Sequence, residues 1–141
     1  MFNLDKSAIM QLIYMSTPSE SMSEENLVSV VRRAQQYNIK HEISGFLISD
    51  NKNVVQLLEG SKKEVMSLFD KIKKDSRHHN IKVQYQKPSE SRAMPFFGMG
   101  LCFINSVANL TDDFYYSRMQ AREFSGLING EVGSCFRRYL F

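Results

Sequence analysis

Val54-Val55-Gln56-Leu57-Leu58-Glu59-Gly60 is an apolar run interrupted by one glutamine and closed by an acid and a glycine. Its length, and its bounds at a polar Asp50-Asn51-Lys52 segment and at Gly60, mark a short buried strand. Gln56 sits in the middle with aliphatic residues on both sides. A primary amide brings two N–H donors and a carbonyl acceptor. Left unpaired inside a protein, each such group costs about 1–3 kcal/mol. Gln56 therefore either points to water at a sheet edge or meets a polar partner inside.

Upstream, Ile43 to Ser49 reads as a second strand, joined to Asn53–Glu59 through the hairpin chemistry of Asp50-Asn51-Lys52. Gly45 inside it marks a bulge or something packed closely on the backbone. Downstream, Ser61-x-x-Glu64 is a capping box that opens a helix with a Val65, Leu68, Phe69, Ile72 stripe. That helix ends in Asp75-Ser76-Arg77-His78-His79-Asn80. Ile81 to Gln86 is a fourth strand, Pro88 to Pro95 a polar loop, and Phe96 to Ile104 a fifth strand broken by Gly98 and Gly100. Towards the N-terminus, residues 1–8 form a loose lead-in. Ile9 to Ser16 is a strand apolar on both faces except for the Tyr14 hydroxyl. After the loop Thr17–Ser21 a helix starts near Ser23, with Ser21 and Glu24 at capping-box spacing. Leu27, Val30, Val31 and Ala34 form its stripe, and it runs out near Tyr37-Asn38.

This order predicts an α+β fold: a ferredoxin-like βαββαβ sheet with a fifth strand and both helices on one face. The other face then needs a cover. Thr111 is placed to cap a helix bearing Phe114, Tyr115 and Met119, and Gly126 to Gly130 breaks it. Val132, Cys135, Phe136, Tyr139 and Leu140 form a further helical stripe. Residues 1–105 are thus expected to form the binding domain and 106–141 a helical cap or output region.

Composition narrows the function. The chain has 141 residues, 43% hydrophobic and 11% aromatic, as expected of one globular domain. No apolar run is long enough to span a membrane, and the N-terminus lacks a secretory layout, so a cytoplasmic location is expected. Two cysteines are too few for a disulfide framework. The net charge of +3 is scattered in pairs such as Lys73-Lys74 and Arg137-Arg138, which argues against nucleic acid. No metal-ligand spacing, phosphate loop or nucleophile turn is present. Gly98-x-Gly100 is followed by neither a third glycine nor a helix.

What stands out is a set of polar residues in apolar frames: Tyr14, Asn38 and Gln56. In the split βαβ plan the first and third strands are central neighbours, so Tyr14 and Gln56 meet beneath the two helices, with Asn38 above them and Met99 at the side. One at a time, each has a plainer explanation. Tyr14 reads as core with its hydroxyl at the rim, Asn38 as a helix-ending residue, and Met99 as filler.

Together, these stretches resemble the BLUF domain, a flavin-based blue-light sensor. They are Leu12-Ile13-Tyr14-Met15-Ser16, Asn38 with Ile43-Ser44-Gly45-Phe46-Leu47, Gln56-Leu57-Leu58-Glu59-Gly60, Asp75-Ser76-Arg77-His78, and Gly98-Met99-Gly100. The resemblance implies FAD held between the two helices. Asn38 would bond the pyrimidine edge of its ring, and Gln56 would lie between the N5/O4 edge and Tyr14. Val30 and Ile72 would sandwich the ring, with Lys71, Asp75, Arg77 and His78 at the ring edge and the ribityl and phosphate groups. It also implies that light draws an electron and a proton from Tyr14, that Gln56 rotates or tautomerises, and that both particles return. The signal then leaves through Met99 and the C-terminal helices. No enzymatic activity is implied. The expected partners are FAD, a separate downstream protein and further copies of the chain, with neither nucleic acid nor membrane.

Three departures from the family stand out. The chain has no tryptophan, and Phe97 stands two residues before Met99 where many members carry one. Val54-Val55 replaces an aromatic before the glutamine, and Tyr37 precedes Asn38. A competing reading is a light-insensitive interaction module on the same fold. A hydrolase of the acylphosphatase kind lacks the arginine it needs after the first strand.

Overall fold

The computed structural model describes residues 9–106, 110–128 and 130–139. Nine elements follow in chain order: β1 (Ile9–Pro18), α1 (Glu24–Lys40), β2 (Ser44–Ser49), β3 (Val54–Gly60), α2 (Lys62–Lys73), β4 (His78–Ser89), β5 (Gly100–Phe103), α3 (Arg118–Leu127) and α4 (Gly130–Arg137). The sheet order is β4-β1-β3-β2-β5, antiparallel except for the β2–β5 pair. The expected α+β sheet with its fifth strand is therefore present. Tyr14 and Gln56 are direct cross-strand partners at its centre.

Alternation along the strands sorts the core into two layers. Leu12, Tyr14, Leu47, Leu58 and Leu101 face α1 and α2, meeting Leu27, Val31, Val65 and Phe69. Ile13, Phe46, Ile48, Val55 and Leu57 face α3 and α4, meeting Ala121, Val132, Cys135 and Phe136. A sheet buried on both sides explains why β1 and β3 read as continuous apolar runs. Arg137 ties α4 to the end of α3, donating from Nη1 to the carbonyls of Ser125 (2.7 Å) and Ile128 (3.2 Å).

The local signals differ from expectation at five places. The cap of α1 is Ser23, whose hydroxyl accepts from the Asn26 N–H (3.1 Å), rather than Ser21. The α2 helix ends at Lys73, and His78 opens β4, because His78 pairs with Pro18 on β1. β4 also runs through Pro88 to Ser89, into the expected loop. β5 begins only at Gly100, since Gly98 has φ +112° and Phe96 is 74% exposed. Finally, Thr111 caps nothing. Phe114–Tyr116 instead lie along the outer edge of β5, where Leu101 N–H donates to Phe114 O (2.9 Å) and Tyr116 N–H to Leu101 O (2.7 Å). The helix starts later, under a Ser117–Gln120 capping box, and leaves Met119 in solvent. Residues 1–8 and Leu140 lie outside the described residues.

Candidate functional site

A cleft of about 270 Å³ opens between α1, α2 and the sheet. Apolar walls come from Leu27, Val30, Val31 and Ala34 on α1 and from Leu68 and Ile72 on α2. The floor is Tyr14, Gln56 and Met99, with Leu47 and Val54. Asn38 stands in the last turn of α1, and Lys71, Asp75, Arg77 and His78 complete the lining. All ten residues expected at the site thus line one cleft. His78 does so from the start of β4 and Met99 from the residue before β5.

The floor is a hydrogen-bonded row. The Tyr14 hydroxyl donates to Gln56 Oε1, and Gln56 Nε2 donates to the Met99 sulfur at 3.4 Å. Gln56 is 8% exposed, so the polar partner lies inside rather than at an edge. Tyr14 packs on Phe69 (5.4 Å between centroids) and against the His78 ring edge (6.3 Å). Burial, with the Asp75 charge as a lesser cause, pushes the Tyr14 hydroxyl far above its ordinary value of 10.0. It holds its proton throughout the neutral range.

Asn38 is 1% exposed, and its Oδ1 is the one buried side-chain oxygen without a partner among the described residues. Buried polar atoms are almost always paired. An acceptor lining a cleft with nothing to accept is therefore a mark of a ligand with a matching donor.

The cation end is partly self-satisfied. Arg77 Nε bonds both carboxylate oxygens of Asp75 (2.9 and 3.0 Å). That hydrogen bonding holds the Asp75 carboxyl down at about 2. Lys71 Nζ donates to the Tyr37 hydroxyl (3.1 Å) and lies 4.6 Å from the centre of that ring. His78 Nε2 donates to the Ile72 carbonyl (2.6 Å), while Nδ1 meets the Ser16 hydroxyl (2.8 Å).

Two further contributors complete the site, of which only Gly45 left a mark in the sequence. Gln35 on α1 bonds both sides of the Met99 backbone: Nε2 donates to Met99 O (2.7 Å), and Met99 N–H donates to Oε1 (2.9 Å). Gly45 lies directly beneath the Met99 side chain, where a Cβ would come within 2.8 Å of Met99 Cε and 2.1 Å of the Leu57 carbonyl oxygen. The unexpected glycine in a strand is the signal for the second. Nothing marks Gln35, because a glutamine on a helix usually faces water.

No helix is long and apolar enough to cross a membrane among the described residues. The BLUF family model, described as sensors of blue light using FAD, matches residues 9–100. The photoactivated adenylate cyclase subunit beta of Euglena longa is 34% identical over 89 residues, covering 63% of this chain and 10% of that protein. The chain spans about a tenth of the length of the curated relatives it matches. Among solved structures, the BLUF domain of Klebsiella pneumoniae BlrP1 is 29% identical with a TM-score of 0.61, covering 67% of this chain and 64% of that one. The photo-activated state of BlsA has a TM-score of 0.66 and covers 94% of each chain; at 23% identity it speaks for the fold alone. The chain belongs to the BLUF family of blue-light sensors.

Proposed function

We propose that this protein is a blue-light photoreceptor that binds FAD in the α1–α2 cleft and signals through the Tyr14–Gln56–Met99 row. The observation that carries the reading is the pair of buried amides lining one cleft: Asn38 with an unpaired acceptor, and Gln56 with both ends engaged in a row. The residues fit a flavin. Val30 and Ile72 offer apolar surface for a flat ring, and Asn38 Oδ1 would accept from the N–H on its pyrimidine edge. The cleft lies just under the size of ordinary small-molecule sites, roughly 300–1,000 Å³. Lys71 and Arg77, which line the same cleft, would hold the charged tail of the dinucleotide.

Under blue light the bound flavin supplies an excited acceptor for one electron and one proton. Tyr14 is placed to release and recover both, because its buried O–H points at Gln56 rather than at water. Gln56 is the bistable element. Turning its amide swaps a donor for an acceptor at nearly unchanged shape, so two hydrogen-bond rows of similar energy exist. In the second row Oε1 faces the Met99 sulfur, and the N–H···S bond is lost. Output then passes through Met99 to a downstream protein or to a second copy of the chain. Sensing, not turnover, is the role of this domain.

The test is a visible spectrum of the purified protein in the dark and after blue light. An oxidised flavin spectrum that moves slightly to the red and returns in the dark is expected. Protein that stays colourless after reconstitution with FAD would instead favour a light-insensitive interaction module. The raised Tyr14 value adds a pH prediction: the shift keeps its full size from neutral pH up to 10.0, the ordinary tyrosine value. A shift that fades over that range while flavin stays bound would contradict the buried, protonated Tyr14. Stability follows the same window. Since the folded value is raised, its contribution is complete below 10.0 and declines at higher pH, where only the unfolded chain ionises this tyrosine.

A further inference from the structure

We infer that Gln35 is a positioning residue that converts a turn of the Gln56 amide into movement of the backbone before β5 and of helix α1; the inference rests on the photoreceptor reading above. Met99 is gripped by two glutamines. Gln56 Nε2 holds its sulfur at 3.4 Å, and Gln35 holds its carbonyl and its N–H at 2.7 and 2.9 Å. Gln35 Nε2 also donates to the Val31 carbonyl at 3.0 Å, one turn earlier in α1. One amide thus joins the Met99 peptide to the helix wall of the cleft.

The segment is built around that amide. A Cβ at Gly98 would come within 2.5 Å of Gln35 Oε1, and Gly98 has φ +112°, which side-chain-bearing residues rarely adopt. The neighbouring Gly98 N–H donates to the Ile43 carbonyl (2.8 Å). Below, the Met99 methyl rests on Gly45. With its backbone tied and its methyl seated, Met99 has little room to retreat when the Gln56 carbonyl turns toward its sulfur. The repulsion is relieved by shifting the Met99 peptide together with Gln35 and α1. Without the tie, the thioether alone would move and the change would end there.

The experiment uses the full chain with FAD bound, as wild type, Gln35→Leu and Gln35→Glu. Leu keeps the bulk and removes both hydrogen bonds. Glu keeps an acceptor for the Met99 N–H but sets a carboxylate oxygen against the Met99 carbonyl. Two quantities are read: the flavin red shift, and the light-minus-dark infrared amide I bands scaled to the flavin bands. The expected result is a red shift of wild-type size in both variants, with amide I bands below half the wild-type amplitude in Gln35→Leu and reduced in Gln35→Glu. A packing role alone would not separate the two readouts. Amide I bands of full amplitude in either variant that retains the red shift would overturn the inference. So would loss of the red shift in both variants, which would make Gln35 part of the photochemical row itself. A wild-type flavin that shows no red shift would overturn the photoreceptor reading instead, and this inference with it.

Discussion

Tyr14→Phe is expected to keep the flavin and lose the light-induced red shift entirely. The phenyl ring retains the contact with Phe69 at 5.4 Å and the edge-on approach of His78 at 6.3 Å, so the cleft floor keeps its shape. Only the hydroxyl is removed. With it goes the donor that fixes Gln56 Oε1, and with it the removable proton at that position. In the proposed mechanism the electron and the proton leave the same side chain, and phenylalanine has no proton to give. Stability should fall modestly, by about 1–3 kcal/mol in the flavin-free protein, because one buried amide oxygen is left unpaired. The checks are the visible spectrum before and after blue light and a urea unfolding curve. A variant that binds flavin and still shifts to the red would remove Tyr14 from the mechanism.

The part of the site that was legible in the sequence is the part encoded by exceptions to an apolar pattern. Tyr14 and Gln56 each interrupt a buried strand, and the split βαβ order makes them neighbours before any coordinates are known. Gly45 likewise announces a close approach, and the structure shows it to be the seat of the Met99 methyl. The illegible part is encoded by long-range contacts to the backbone. Gln35 looks like one more solvated helix residue, yet its amide grips the Met99 peptide 64 positions away. Gly98 turns the chain at φ +112° and the side chain of Gln35 takes the Met99 N–H and carbonyl, so residues 96–99 do not form the strand that their apolar content suggests. Phe114 and Tyr115 mislead for the related reason that aromatic content fits a helix stripe and an edge-strand cover equally well. Capping chemistry decided the matter at Ser117, not Thr111.

The absence of tryptophan has a geometric counterpart. Phe97, in the position where many relatives place the indole, is 43% exposed and lies under the Arg92 guanidinium at 4.9 Å. It does not line the cleft. Among the described residues, the contact of Gln56 on the β5 side is Met99, which is why the proposed route concentrates on that peptide.

Glu59→Leu is expected to be the most destabilising change outside the cleft. Glu59 closes the same strand that carries Gln56, but alternation turns it to the opposite face of the sheet, where it is 0% exposed. Its carboxylate accepts four hydrogen bonds: from Gln11 Nε2 (2.8 Å), the Ser44 hydroxyl (3.0 Å), and the N–H groups of Ala93 (2.6 Å) and Met94 (2.9 Å). Gln11 and Ser44 are its register partners on β1 and β2, so one side chain joins three strands to the β4–β5 loop. Arg92 secures that loop further, donating to the Ser44 hydroxyl (2.9 Å) and the Glu59 carbonyl (3.1 Å). Leucine fills the space but accepts nothing. The Gln11 amide and two backbone N–H groups lose their acceptor, each costing about 1–3 kcal/mol, so the total is on the order of 3–9 kcal/mol. That is a large fraction of the roughly 5–15 kcal/mol that holds a domain folded. Glu59→Gln retains one oxygen acceptor but brings an NH₂ among donors, and should lose less, about 1–3 kcal/mol. Urea midpoints for the two variants and the wild type check the order. Equal midpoints for Glu59→Leu and wild type would mean that the loop finds other partners and that the four-bond cluster is not what holds it. If the order holds, the strand that carries Gln56, the proposed switch, also anchors, through its acid, the loop that leads into Met99. Loosening that anchor should then slow or weaken the light response even in protein that remains folded.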